Sequence, residues 1–190
     1  MTSNLQEHIL QTASQLFYSQ GIKTTGVDAI VKAAGTTKMS LYKYFPSKDD
    51  LVVAHLQRSG ENIHALLQSA VESKAGQPKQ QLLAVFDVFE ALQSNPSFRG
   101  CPFINASAEF AAESSPVQQA ATELSESFRQ LLMNLARTVG IGDAEELSKQ
   151  LSMLIAGAMV REQMQRQAGG AMRTARAAAE VLIEKSLSPD

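Results

Sequence analysis

The chain has no tryptophan, one cysteine, six prolines and no long apolar run, and each shortage removes a class of protein. A single Cys101 excludes an intrachain disulfide, so stability has to come from a buried core, consistent with a reducing compartment; a cytoplasmic location is the expectation. The longest apolar run, Met153 to Val160, falls far short of the roughly twenty residues that a membrane span needs. The N-terminus has no basic stretch, and residues 5 to 20 are amphipathic rather than apolar, so no signal peptide is expected. His8, His55 and His64 stand apart from cysteine and from acids at ligand spacing, which argues against a metal site and places them as surface or boundary residues. Glu145-Glu146 is accounted for by the dipole of the helix it opens, and no Ser, His and Asp set is legible. No catalytic residue, metal or cofactor is therefore assigned, and the chain is not expected to be an enzyme.

What remains is rich in Ala, Leu, Gln, Glu and Ser, a composition that favours helix throughout. A chain of 190 residues can bury a substantial core, and a small module beside a larger helical body is the natural division. The net charge of -2 is spread unevenly. From Lys23 to Lys48, five lysines (Lys23, Lys32, Lys38, Lys43, Lys48) face only Asp28, whereas from residue 51 onward twelve basic residues face fifteen acidic ones. A basic footprint on one short segment is what a phosphate-binding surface requires; the mildly acidic body would not bind nucleic acid.

The same segment carries a helix-turn-helix pattern. Val27, Ile30, Val31 and Ala34 fall at i, i+3, i+4 and i+7, one apolar face, and Gly35 supplies a left-handed stop. Thr37 then caps a second helix in which Leu41 and Phe45, four apart, turn inward. Lys38, Ser40, Tyr42 and Lys43 are left pointing outward, a set that can neutralise phosphates, donate to them, or reach base edges from the major groove.

The run S-L-Y-K-Y-F-P-S-K-D-D-L from Ser40 to Leu51 resembles the TetR family of bacterial repressors, whose pattern is roughly L-Y-x-Y-F-x-x-K-x-x-L, and the upstream G-V-D-A-I-V-K-A-A-G fits as well. The specific resemblance covers about the first quarter of the chain. It implies a homodimer binding a palindromic double-stranded DNA operator, released by a small-molecule effector held in a C-terminal helical domain. Thr25, Lys38, Ser40, Tyr42, Lys43, Tyr44 and Lys48 match positions that commonly contact DNA in the family. Of these, Tyr42 and Lys48 are expected on phosphate, while Lys38, Ser40 and Lys43 are expected at base edges. Met39 departs from a polar reader and is expected at a thymine methyl; Asp28 is a poor neighbour for phosphate. The sign of regulation, repressor or activator, is not written in these residues. The more distant alternative, an all-helical binding protein or enzyme with an incidental helix-turn-helix, needs a catalytic set that the chain does not show.

The expected architecture is all-α: a three-helix DNA-binding domain over residues 1–47 and a helical effector-binding and dimerisation domain over 48–190, about nine helices in all. Ser3-Asn4-Leu5-Gln6 has capping-box spacing for a first helix carrying Leu5, Ile9, Ala13, Leu16 and Phe17 and closed by Gly21. Ser47 caps a long fourth helix. Helices follow from Gln77-Pro78, over 103–113, over 117–139, from Asp143 to about 168, and over 171–187 after Gly169-Gly170. Phe86, Phe89, Phe103, Phe110, Phe128 and Met133 are candidates for an apolar effector pocket, with Glu90, Asn105 and Glu109 as its polar contacts. Cys101, two residues after Arg99 and at a helix start, is either a reactive thiol at that pocket or a small packed residue. Its segment F-R-G-C-P-F-I-N resembles a TetR-like subgroup in which some members respond to electrophiles. Leu151, Leu154, Ile155, Ala158, Ala175, Ala179 and Leu182 are expected to form the dimer seam, because the helix around Ile155 is apolar on every side.

Overall fold

A computed structural model describes residues 4–110, 112, 114–165 and 170–187. Among them nine helices and no strand are present: α1 Asn4–Gln20, α2 Val27–Ala33, α3 Lys38–Tyr44, α4 Lys48–Glu72, α5 Pro78–Gln93, α6 Pro102–Glu109, α7 Pro116–Thr138, α8 Ala144–Gln165 and α9 Ala171–Leu187. Among the described residues no helix is long and apolar enough to cross a membrane. The local signals act where the sequence puts them. Gly35 adopts φ +59; its N–H donates to the Lys32 carbonyl at 3.3 Å and that of Thr36 to Val31 at 3.0 Å. That double bond is the Schellman closure, which satisfies the last carbonyls of α2. The Ser47 hydroxyl accepts from the Asp50 N–H at 3.1 Å and donates to its carboxylate at 2.7 Å, capping α4. Ser3, expected to cap α1, lies outside the described residues, as do Gly169 and positions 166–168 expected in α8.

Packing divides the chain otherwise than at residue 47. One compact unit comprises Met1–Glu61 with Pro102–Leu124, the other Asn62–Cys101 with Ser125–Asp190. The first is centred on Ile9, Ala13, Ile30, Leu41, Leu51, Val52 and Leu56, with Ala106 of α6 and Val117 of α7 in the same cluster. Three helices, two of them of seven residues, bury little apolar surface alone, and residues of α4, α6 and α7 complete the core. The second unit is built around α5, whose Leu82, Leu83, Val85, Phe86 and Phe89 are all buried, with α9 packed on both α5 and α8.

Candidate nucleic-acid interface

In α3 the side chains sort sharply. Leu41 and Phe45 are buried and tie the helix to α1 and α2. Met39 is 83% exposed and Tyr42 42% exposed, and Lys43 also faces solvent. The cap is confirmed: the Thr37 hydroxyl accepts from the Ser40 N–H at 3.2 Å and donates to the Ser40 hydroxyl at 3.1 Å. With seven residues, α3 is too short to persist alone, so its direction comes from the cap and from the two buried anchors.

Several of the lysines are already engaged. Lys38 Nζ lies 2.7 Å from Asp28 of α2, which holds the ammonium above the usual lysine range chiefly through that hydrogen bond. Lys43 Nζ sits 5.9 Å from the centroid of the Tyr44 ring, and Lys23 Nζ 5.5 Å from that of Phe110. Lys48 Nζ donates to the Ile22 carbonyl at 2.7 Å. Thr25 differs from the expectation of a DNA contact: its side chain is buried and donates to the Gly21 carbonyl at 2.7 Å, tying the loop that leads into α2. The outward set is therefore Met39, Tyr42 and Lys43, with Lys38 and Ser40 beside them but bonded within the motif. A face of one aromatic hydroxyl, one ammonium and one thioether on a short, capped helix suits a duplex groove, where hydroxyl and ammonium meet phosphate and the apolar group meets base edges.

The family model for "Bacterial regulatory proteins, tetR family" matches residues 9–55, and that for "Tetracyclin repressor-like, C-terminal domain" matches residues 78–179. The chain belongs to the tetR family. It is a DNA-binding transcriptional regulator. The uncharacterised HTH-type regulator YxaF of Bacillus subtilis is 29% identical over 151 residues, 79% of this chain and 78% of that protein. The HTH-type transcriptional repressor NemR of Escherichia coli is 30% identical over 105 residues, which is 55% of this chain and 53% of NemR. The crystal structure of SCO4454, a TetR-family regulator from Streptomyces coelicolor, superposes with a TM-score of 0.89 at 29% identity, covering 97% of this chain and 96% of that one.

Against this tetR framework, the residues expected at an effector pocket part company. Phe86, Phe89, Phe128 and Met133 do share the core of the second unit, with the Phe89 and Phe128 rings edge to face at 5.5 Å. Phe103 of α6 and Phe110 just after it pack instead against the core of the first, and Asn105 lies on α6 with Phe103. Glu90 accepts from Arg173 at 2.8 Å in an ion pair between α5 and α9. Glu109 accepts from two backbone amides of the loop after α1, so neither acid is idle. Cys101 is half-buried immediately before α6 and packs against the core of the second unit. Three polar groups of the second unit that the sequence does not announce are buried: Ser148, Gln93, whose Nε2 donates to the Met159 sulfur at 3.5 Å, and Glu162, which accepts from the Ala171 N–H at 3.3 Å.

The dimer seam needs a larger correction. Leu151, Ile155, Ala158, Ala175 and Ala179 are buried within the chain's own core, and Leu154 and Leu182 are half-buried against it. The large apolar side chains left outside on these two helices are Met153 (69% exposed), Val160 (37%) and Met164 (78%) on α8, with Val181 (64%) and, at the helix end, Leu187 (40%) on α9. Positions 153, 157, 160 and 164 are one helical stripe, flanked by an open groove along Ala156, Gly157, Val160 and Met164.

His55, expected near the surface, is buried with its ring 5.7 Å from that of Phe17 and its Nδ1 without a partner. Desolvation, with Arg58 adding to it, pushes its pKa down to about 4. Among the described residues no three His, Cys, Asp or Glu side chains gather as metal ligands.

Proposed function

We propose that two copies of this chain associate through the exposed stripe of α8 and α9, place their α3 helices on the two halves of a palindromic operator, and repress transcription until a small, mostly apolar effector binds in the second unit. The observation that carries the reading is the sorting of α3, with Leu41 and Phe45 buried beneath an outward row of Met39, Tyr42 and Lys43. A two-fold dimer matches a palindrome because each reading head meets the same half-site in the same orientation. The aromatic cluster of Phe86, Phe89 and Phe128, with Gln93 beside it as a buried polar group, favours an apolar effector with few hydrogen-bonding groups. NemR, related over about half of the chain, is named a repressor, and this supports the same sign here.

The test is binding of the purified protein to the DNA upstream of its own gene across a salt series, followed by transcription in vitro from that template. Preference over random duplex with transcript lowered is the expected result. Equal binding to random duplex would sink the operator reading, and a raised transcript would replace the repressor with an activator.

A further inference from the structure

The Ile22–Lys23 peptide unit, in the loop between α1 and α2, is held at both poles, and the Ile22 N–H before it is held as well. The Ile22 N–H donates to Glu109 Oε1 at 3.0 Å and the Lys23 N–H to Oε2 at 2.6 Å, while the Ile22 carbonyl accepts from Lys48 Nζ at 2.7 Å. Glu109 is the last residue of α6, 87 positions along the chain from Ile22. Gly21 supplies the turn that presents these amides: its φ of +94 is one that other residues rarely adopt, and a Cβ added there would crowd Thr24 Oγ1 at 3.1 Å. Lys23 completes the contact by laying its ammonium over the ring of Phe110.

The loop so held runs directly into the reading element. Gly26, the residue before α2, offers no side-chain cap, and α2 and α3 have seven residues each. Helices this short take their direction from what anchors their ends. A carboxylate accepting from two successive N–H groups is a charge-assisted, two-point hold, stronger and more directional than a single neutral bond. We propose that Glu109 is a positioning residue for DNA recognition: by fixing the Ile22–Lys23 amides it sets the entry of α2, and through the turn at Gly35 the orientation of α3, without touching DNA. The proposal rests on the operator reading above.

The test uses full-length Glu109→Ala and Glu109→Gln, a duplex selected from a random pool by the wild-type chain, and a scrambled duplex of equal length. Stoichiometric titration gives the active fraction of each preparation, so that loss of folded protein is separated from loss of affinity. Glu109→Ala is expected to bind the selected duplex about tenfold more weakly, while scrambled binding and the salt slope hold within about twofold. Glu109→Gln, which keeps one acceptor oxygen and loses the charge, is expected to lose about threefold. If the alanine variant does not fold, the glutamine variant decides by the same ratio of selected to scrambled affinity. An unchanged ratio, or a loss wholly explained by the active fraction, overturns the proposal. A wild-type chain that selects no duplex would sink the operator reading as well, whereas a selective wild type with unaltered variants sinks this proposal alone.

Discussion

Val181→Glu separates association from folding, because the side chain it replaces is mostly exposed in its own chain. Val181 is 64% exposed on α9, whereas Ala179, two residues before it, is fully buried against the chain's own core. In the proposed two-fold dimer, with Val181 taken into the seam along with Met153, Val160 and Met164, each substitution occurs twice across one interface. An unpaired carboxylate forced out of water costs about 3 kcal/mol after local relaxation, so the dimer loses about 6 kcal/mol, a factor of roughly 10^4 in Kd. A nanomolar dimer becomes one dissociating near ten micromolar. The monomer should keep its fold within about 0.5 kcal/mol, as exposed substitutions usually do. Ala179→Glu should instead unfold the second unit, since the same charge then sits inside one subunit. Sedimentation velocity over a concentration series, with thermal unfolding by circular dichroism beside it, reads both effects. A Val181→Glu chain that still dimerises with wild-type strength would show that the stripe faces water, and a folded Ala179→Glu monomer would undo the assignment of core and seam.

Replacing thymine by deoxyuridine in a selected duplex removes only methyl groups; at the base covered by Met39 the wild type should lose about fourfold, the worth of one buried methyl, and Met39→Ala should be indifferent to the change. Equal sensitivity of the two proteins refutes that contact. Asp28→Asn should free Lys38 for phosphate and steepen the salt dependence of binding by about 0.9 in log–log slope for each phosphate gained, and an unaltered slope in a titration from low to high salt counts against it. His55 remains neutral in the fold down to about pH 4, while the unfolded chain takes up its proton near pH 6.5, so stability is unaffected above 6.5 and declines between 6.5 and 4 by at most about 3 kcal/mol. Urea midpoints of wild type and His55→Phe across that window check this, and parallel pH profiles would show that the imidazole is not the cause.

The helix-turn-helix was legible because every signal that makes it is local. The apolar spacing of α2, the Gly35 stop and the Thr37 cap lie within a few residues of what they act on, and all three behave as the chemistry of those residue types requires. The contacts that tune the site are remote in sequence. Nothing in the spacing of Asp28 and Lys38 announces that the turn brings them to 2.7 Å, and Glu109 reads as a polar pocket residue until α6 is seen to share the first unit's core and reach the loop after α1. A boundary at residue 47 follows a helix cap, yet α4 carries its first half into one core and its second half into the other. His55 carries a readable signal: with Leu51, Val52 and Leu56 it lies on the buried face of α4, four residues after Leu51, a spacing that places it inside.

The phase of α8 is where sequence reasoning met a physical limit. A helix apolar on all sides has no preferred face, so periodicity could state that two faces are covered without saying which one belongs to the chain itself. The polar residues of α8 do not mark its outer face. Ser148 and Glu162 sit on the inner stripe with Leu151, Ile155 and Met159, and they are tolerated there because each has a partner: the Ser148 hydroxyl accepts from Arg129 at 3.1 Å and donates to the Glu145 carbonyl at 2.7 Å, while Glu162 meets the first amide of α9 at 3.3 Å, where the helix dipole favours an anion. Met153, Val160 and Met164, with no polar atom able to satisfy water, lie on the outer face instead. Satisfied polar groups inside and large apolar groups outside, on one helix, reverse the order that solvent alone would select, and that reversal is the physical ground for reading the outer stripe as the place where a second copy docks.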